Sequence, residues 1–167
     1  MPVKSPKELF VMILSHARHG TERSSAIYKE LSEQAQNPEI QQALGARAFV
    51  SQQNLEKIDE AFKLIGEKPV SVTGRMHDVF VEDFRKELAE IQSPEARRLF
   101  VLAKANHLSQ MRTAEYTLLV AAADLSGNYG VGVLLESCLA DHLAFAERTK
   151  HVVREIVGAR IAARAAG

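Results

Sequence analysis

Three times in 167 residues, a side chain able to cap a helix is followed at once by proline: Ser5-Pro6, Asn37-Pro38 and Ser93-Pro94. The capping oxygen accepts from backbone N–H groups that have no partner inside the helix. Proline at the next position loses nothing, because its missing N–H is one of those orphans and its φ is already helical. Ser5 also has Glu8 three residues on, the spelling of a capping box. Ser126-Gly127-Asn128 spells a stop, with glycine able to take positive φ.

These marks predict long helices near 6–35, 38–65, 94–125 and 129–160. Gly66 to Gly74, with Pro69 inside it, reads as a connection. Met76, Val79, Phe80, Phe84 and Leu88 recur at helical spacing, so 75–90 is expected to form a shorter helix in the crossover between the second and third long ones. No strand pattern appears, and the chain is predicted all-α. Short links make neighbours antiparallel at the first and last junctions, and the long middle junction can cross the bundle. The expected result is a ferritin-like up-down-down-up four-helix bundle with an additional short helix in the crossover; a plain up-down bundle is the rival.

Composition narrows the class. Residues 1–160 are expected to form a single domain, with 161–167 a frayed tail. The 21 basic and 21 acidic residues cancel, which argues against bulk binding to nucleic acid or an anionic membrane. The lone Cys138 excludes an intrachain disulfide and suits a reducing cytoplasm. The apolar run Leu9 to Leu14 is short for a signal-peptide core and too short to span a bilayer.

Each long helix carries an apolar stripe that is interrupted near its middle. The interruptions are Thr21 and Ser24; Arg47, Ser51 and Asn54; Ser109 and Arg112; and Asp141 and His142. Midpoints of antiparallel helices lie at one height, so the four interruptions are expected to meet as a polar layer inside an apolar core. An unpaired inward charge costs several kcal/mol. A bidentate pair between Arg112 and Asp141 is therefore expected, with Ser51, Asn54 and Ser109 meeting the remaining donors and acceptors. The competing expectation puts Arg47 and Arg112 at the stripe edge, reaching to water.

Bundles of this shape often hold two metal ions, with a Glu from each of two helices and a Glu-x-x-His from each of the others. This chain contains no Glu-x-x-His: the residues three before its six histidines are Ile13, His16, Gly74, Lys104, Leu139 and Arg148. His16 and His19 stand at i, i+3 but make an incomplete site, and a solvated surface pair is the simpler reading. Cys138 lies one turn before Asp141 and His142, and on an apolar stripe it reads as a small core residue.

The chain resembles the YciE/YciF-like family of ferritin-like bacterial proteins. The matching segments are Lys4-Ser-Pro-Lys-Glu-Leu-Phe10, Leu55-Glu-Lys-Ile-Asp59, Leu64-Ile-Gly-Glu-Lys-Pro69, Ala114-Glu-Tyr116 and Leu134-Leu-Glu-Ser-Cys-Leu139, spread over nearly the whole chain in order. The resemblance implies a ferritin-like fold, a homodimer and an association with stress responses, and no established reaction. It also implies a degenerate metal site. The family's Ala-Glu-Lys in the first helix falls on Gly20-Thr21-Glu22, placing Thr21 where the carboxylate belongs. Glu22 lies about 100° off the stripe. The family's His-x-x-Glu-Thr-x-x-Gln reads Arg47-Ala-Phe-Val50-Ser-Gln-Gln-Asn54, and its Glu-His-Tyr-Glu reads Ser109-Gln-Met-Arg112. Its glutamate run in the last helix reads Ala140-Asp141-His142-Leu143, so Asp141 and His142 alone keep ligand chemistry.

Two functional classes follow. The first is a non-catalytic bundle without cofactor, homodimeric or bound to an unidentified protein partner, in which a layer of Thr21, Arg47, Val50, Ser51, Asn54, Ser109, Arg112, Asp141 and His142 occupies the former metal site. The second is an iron- or manganese-binding oxidase with a remodelled site using Asp141, His142 and a further carboxylate such as Glu22 or Glu115. The runs Leu9 to Leu14 and Leu118 to Ala123 are apolar all round their helices, as subunit-contact surfaces would be; burial under the crossover helix is the other explanation.

Overall fold

In the computed structural model, which describes residues 3–165, each proline-marked start is a capped helix. Ser5 Oγ accepts from the Glu8 N–H at 3.2 Å, Asn37 Oδ1 from Ile40 at 3.0 Å and Ser93 Oγ from Ala96 at 3.4 Å. The expected capping box closes one residue early: Glu8 accepts from the N–H of Lys4 at 2.6 Å instead of that of Ser5. The helices are α1 (Pro6–Gln34), α2 (Pro38–Ile65), α3 (Arg75–Glu90), α4 (Pro94–Leu125) and α5 (Tyr129–Ala165). The last helix runs through Ala165, past the end near 160 expected from sequence, and the final two residues of the expected tail lie outside the described residues.

Two helices end alike. Gly66 and Gly127 take φ of 68° and 73°. Glu67 then donates to Phe62 O at 3.1 Å and Asn128 to Ala123 O at 2.9 Å, so each end closes as a Schellman motif that satisfies carbonyls the helix leaves free.

Helix α1 packs on α2 and α4, and α5 packs on α4 and α2. Ser126 Oγ at the end of α4 donates to Pro6 O at the start of α1 (3.4 Å), while Arg112, midway along α4, reaches Ala17 O at 2.7 Å. The two helices are thus antiparallel, and the sense of the four long helices is up-down-down-up. The connection after α2 runs back beside α1, where the Val70 N–H donates to Ser15 Oγ at 3.0 Å.

Helix α3 then lies across α1 and α4, burying Phe84 and Leu88. Phe84 stacks on Phe100 with centroids 6.0 Å apart. Arg85 donates to both Glu30 oxygens, at 2.7 and 3.0 Å. It covers one half of the bundle only. The Leu118 to Ala123 run lies in the other half and keeps Leu118 57% exposed, so the crossover helix is not what its apolar character serves.

The core is two clusters. One gathers Phe10, Leu14, Ile58, Phe62, Leu119 and Leu135. The other gathers Tyr28, Leu31, Leu44, Phe84, Leu102 and Phe145. Between them lie the stripe interruptions. No described helix is long and apolar enough to cross a membrane.

Candidate functional site

Arg112 occupies the centre of the interruption with 0% of its side chain exposed. Its Nη2 donates to Ala17 O at 2.7 Å and to Thr21 Oγ1 at 2.5 Å, and its Nη1 donates to Glu115 Oε2. The guanidinium also lies 5.2 Å from the centre of the Tyr116 ring, a cation–π contact. Thr21 completes the group: its hydroxyl donates to Ala17 O at 2.7 Å and stands 2.9 Å from Tyr116 Oη. Space for the guanidinium comes from Gly20. A Cβ on that residue would overlap Arg112 Nη1 and would lie 3.0 Å from both Arg112 Cζ and His77 Cε1.

The electrostatics follow from burial. Removal from water pushes the Glu115 carboxyl up, and Arg112 and His16 pull it back toward the charged form. His77, inserted from the first turn of α3, is held down at about 4 by burial and then by Arg112. It is a neutral ring at neutral pH.

The second arginine is set differently. Arg47 is 2% exposed, and its Nη2 lies 2.5 Å from His142 Nδ1 and 3.0 Å from Nε2. Burial, then Arg47, pushes His142 down to about 2, so the ring is neutral and offers one acceptor nitrogen. Arg47 also sits 5.4 Å from the Tyr28 ring centre and 5.6 Å from that of Phe145. No carboxylate bonds to it, and its Nε and Nη1 are buried without a partner. Ser24 Oγ, Ser51 Oγ and both polar atoms of the Asn54 amide share that condition. Ser109 donates to the His142 carbonyl at 3.3 Å.

Of the residues singled out by sequence, Thr21, Arg47, Ser51, Asn54, Ser109, Arg112 and His142 are buried in this layer. Val50 is half-buried at its margin. The expected Arg112–Asp141 pair does not form. Asp141 lies on the α5 flank toward α2, with 35% of its side chain exposed, and accepts from Lys57 Nζ at 3.3 Å. Arg112 turns instead toward α1 and takes Glu115, three residues along its own helix, as its counter-charge. That local pair needs no fully buried carboxylate, because 27% of the Glu115 side chain stays exposed. The expectation of arginines reaching to water fails too, since both are inside.

Sequence reasoning missed Gly20, Glu115, His77 and Tyr116 as a set. Two signals were present: an acid at i+3 from the arginine, and a glycine in mid-helix, which costs about 1 kcal/mol against alanine unless something needs the space. His16 is exposed and His19 half-buried with its Nε2 against Gly74, so the two rings do not share surroundings. Cys138 is fully buried in the first apolar cluster, and burial pushes its thiol up to about 11.

Among the described residues, no three His, Cys, Asp or Glu side chains are grouped to hold a metal ion. The donors near the centre are Glu115 and His142, each already bonded to an arginine, and His77, whose ring lies beside the Arg112 guanidinium. A di-metal centre asks for about four carboxylates and two histidines with no cation among them, and this set does not fit it.

Comparison with known proteins bears on the fold. No curated protein matches the chain. Solved structures do, among them the following three. The stress protein YciF of E. coli aligns with a TM-score of 0.87 at 19% identity, covering 93% of this chain and 99% of its own. YcfI of Rhodopseudomonas palustris, proposed as a structural protein, aligns at 0.84 and 21% identity, covering 89% and 94%. A protein of Xanthomonas campestris pv. campestris aligns at 0.71 and 16% identity, covering 93% and 99%. At such identities the likeness speaks for the fold. A domain family of unknown function, DUF892, matches residues 5–162. Spanning nearly the whole chain, that match agrees with the YciF-like segments read from the sequence, and the chain belongs to this family.

Proposed function

We propose that this chain is a non-catalytic, stress-associated, ferritin-like bundle protein of the cytoplasm, in which two arginines take the place that metal ions hold in related architectures. The observation that carries this reading is the fully buried Arg112, bonded to Ala17, Thr21 and Glu115 between the two halves of the apolar core. A guanidinium can balance the remaining carboxylate, but it cannot cycle redox state or bind oxygen. The stress and structural descriptions of the aligned E. coli and R. palustris proteins agree with this class of role. The crossover helix belongs to the same reading: His77 at its first turn packs beside Gly20 and so ties the crossover to the arginine layer.

The protein works as a homodimer in this proposal, through the exposed apolar residues Leu118, Leu125, Tyr129 and Val133 around the α4–α5 turn. Elemental analysis after purification from medium supplemented with iron and manganese is the test of the metal-free reading. It is expected to return neither metal near one ion per chain, and stoichiometric iron or manganese sinks it. Sedimentation at micromolar concentration is expected to give twice the monomer mass.

A further inference from the structure

Helix α3 is held to the bundle by few attachments. Of its 16 residues it buries His77, Phe84 and Leu88. Its N-cap, Gly74, offers no capping side chain, where Ser5, Asn37 and Ser93 each cap a long helix. The ion pairs along it, Arg23–Asp78, Arg85–Glu30 and Lys104–Glu87, are partly exposed, and pairs open to water hold weakly. Between α1 and α3 runs a cleft of about 500 Å³, with Ile27 and His77 among its lining residues. His77 is the one polar side chain of the buried three. Its Nε2 is buried without a partner, and its ring shares the space beside Gly20 with the Arg112 guanidinium. The charges that act on it are positive: Arg112 from α4 and Arg23 from α1, with the His19 ring of α1 alongside. The acids nearby are taken, Glu115 by Arg112, Asp78 by Arg23, Glu30 by Arg85 and Glu82 by Lys86.

We propose that α3 is an acid-operated flap: a proton on the His77 ring releases the crossover helix from α1 and α4 while the four long helices stay folded. The proton would create a cation beside Arg112, out of reach of water and of any free acid, and a buried charge in that state is costly. Lifting α3 returns the ring to water and removes the cost. Little opposes the movement, because the cleft already separates much of α3 from α1, and a helix of this length is marginal in water once detached. The first apolar cluster contains no residue of α3 and is left intact. Release uncovers Phe84, Phe100 and the Arg112 side of the polar layer. The closed form is fully favoured above pH 6.5 and loses its advantage as pH falls toward about 4, the value at which the enclosed ring takes its proton. The inference stands apart from the metal-free reading, since its test measures the movement of α3 alone.

The experiment is thiol labelling of the full chain carrying Ile27→Cys, a buried position on α1 in the cleft under α3. Dithiodipyridine, which still reacts at pH 5, is the reagent. Each rate is divided by that of the urea-unfolded chain at the same pH, and the native Cys138, buried in the first cluster, reports unfolding of the whole chain. The relative rate at the introduced thiol is expected to rise about twentyfold between pH 7 and 5, the ratio given by a ring that moves from about 4 to an ordinary 6.5 on opening. Cys138 is expected to label more slowly throughout. Adding His77→Gln is expected to abolish the rise. His77→Leu, which also has no proton to take up, decides the matter should the glutamine variant fail to fold, as prompt labelling of Cys138 would reveal. A rate that does not change with pH overturns the proposal, as does a rise that survives the loss of the imidazole, or labelling of Cys138 in step with the introduced thiol.

Discussion

Gly20 and Arg112 share one space: the guanidinium from α4 occupies the volume that a side chain at position 20 of α1 would fill. The far end of an arginine normally moves aside at little cost. Here it is fixed by bonds to Ala17, Thr21 and Glu115 and has no water to move into. The glycine is therefore a packing requirement within a helix that would otherwise favour alanine.

Gly20→Ala is expected to lower stability by about 1–3 kcal/mol through overpacking, against the roughly 1 kcal/mol that alanine contributes in a helix interior. Urea midpoints measure the net effect. In an Arg112→Leu background the same change costs less, and the coupling between the two substitutions is expected at about 0.5–3 kcal/mol. Additive effects would show that the two residues do not compete for space.

The acids divide by where they sit. Glu115→Ala leaves Arg112 Nη1 inside the bundle without its partner and is expected to cost about 1–3 kcal/mol. Asp141→Ala breaks only a partly exposed pair with Lys57 and is expected to cost less than about 1 kcal/mol. Denaturant unfolding of both variants checks the order. A larger loss at Asp141 would mean that the buried charge leans on that side chain after all.

Stability is expected to fall as pH drops below neutral. His77 and His142 have folded values of about 4 and about 2 against an ordinary 6.5, so below 6.5 the unfolded chain takes up protons that the native chain refuses. Stability is full above 6.5 and is lost as pH falls toward those values, each ring adding a slope that approaches about 1.4 kcal/mol per pH unit. Glu115, shifted upward, acts in the opposite sense near its own titration. Urea midpoints between pH 7 and 4.5 measure the loss, and His77→Gln is expected to reduce the slope by about half.

The Cys138 thiol, buried and pushed up to about 11, is expected to resist aromatic disulfide reagents at pH 8 until the protein unfolds. Labelling in urea should follow the unfolding transition. Rapid reaction in buffer would show that the first apolar cluster opens readily.

Helix starts and stops were legible because they depend on a few adjacent residues. Ser5-Pro6, Asn37-Pro38 and Ser93-Pro94 carry their caps in the spelling, and Gly127 carries its positive φ. The interrupted stripes also placed Arg47, Ser51, Asn54, Arg112 and His142 inside. What periodicity does not encode is rotation to within a bond. Asp141 and His142 differ by about 100° around α5, enough to put one on the flank and the other in the core. Nor does it rank partners, and Arg112 took an acid from its own helix and a carbonyl from α1 over a distant aspartate. The crossover supplied His77 from outside all four stripes, so no stripe contained it.

The two apolar clusters meet only across a charged seam. When an ordinary core opens, hydrocarbon is exposed and nothing is recovered. Here, separating one half from the other would also return two guanidiniums to water, and their hydration offsets part of the loss. The seam therefore lowers the cost of opening by halves, so that exchange of protected amides should resolve two cooperative units where a uniformly apolar bundle would show one.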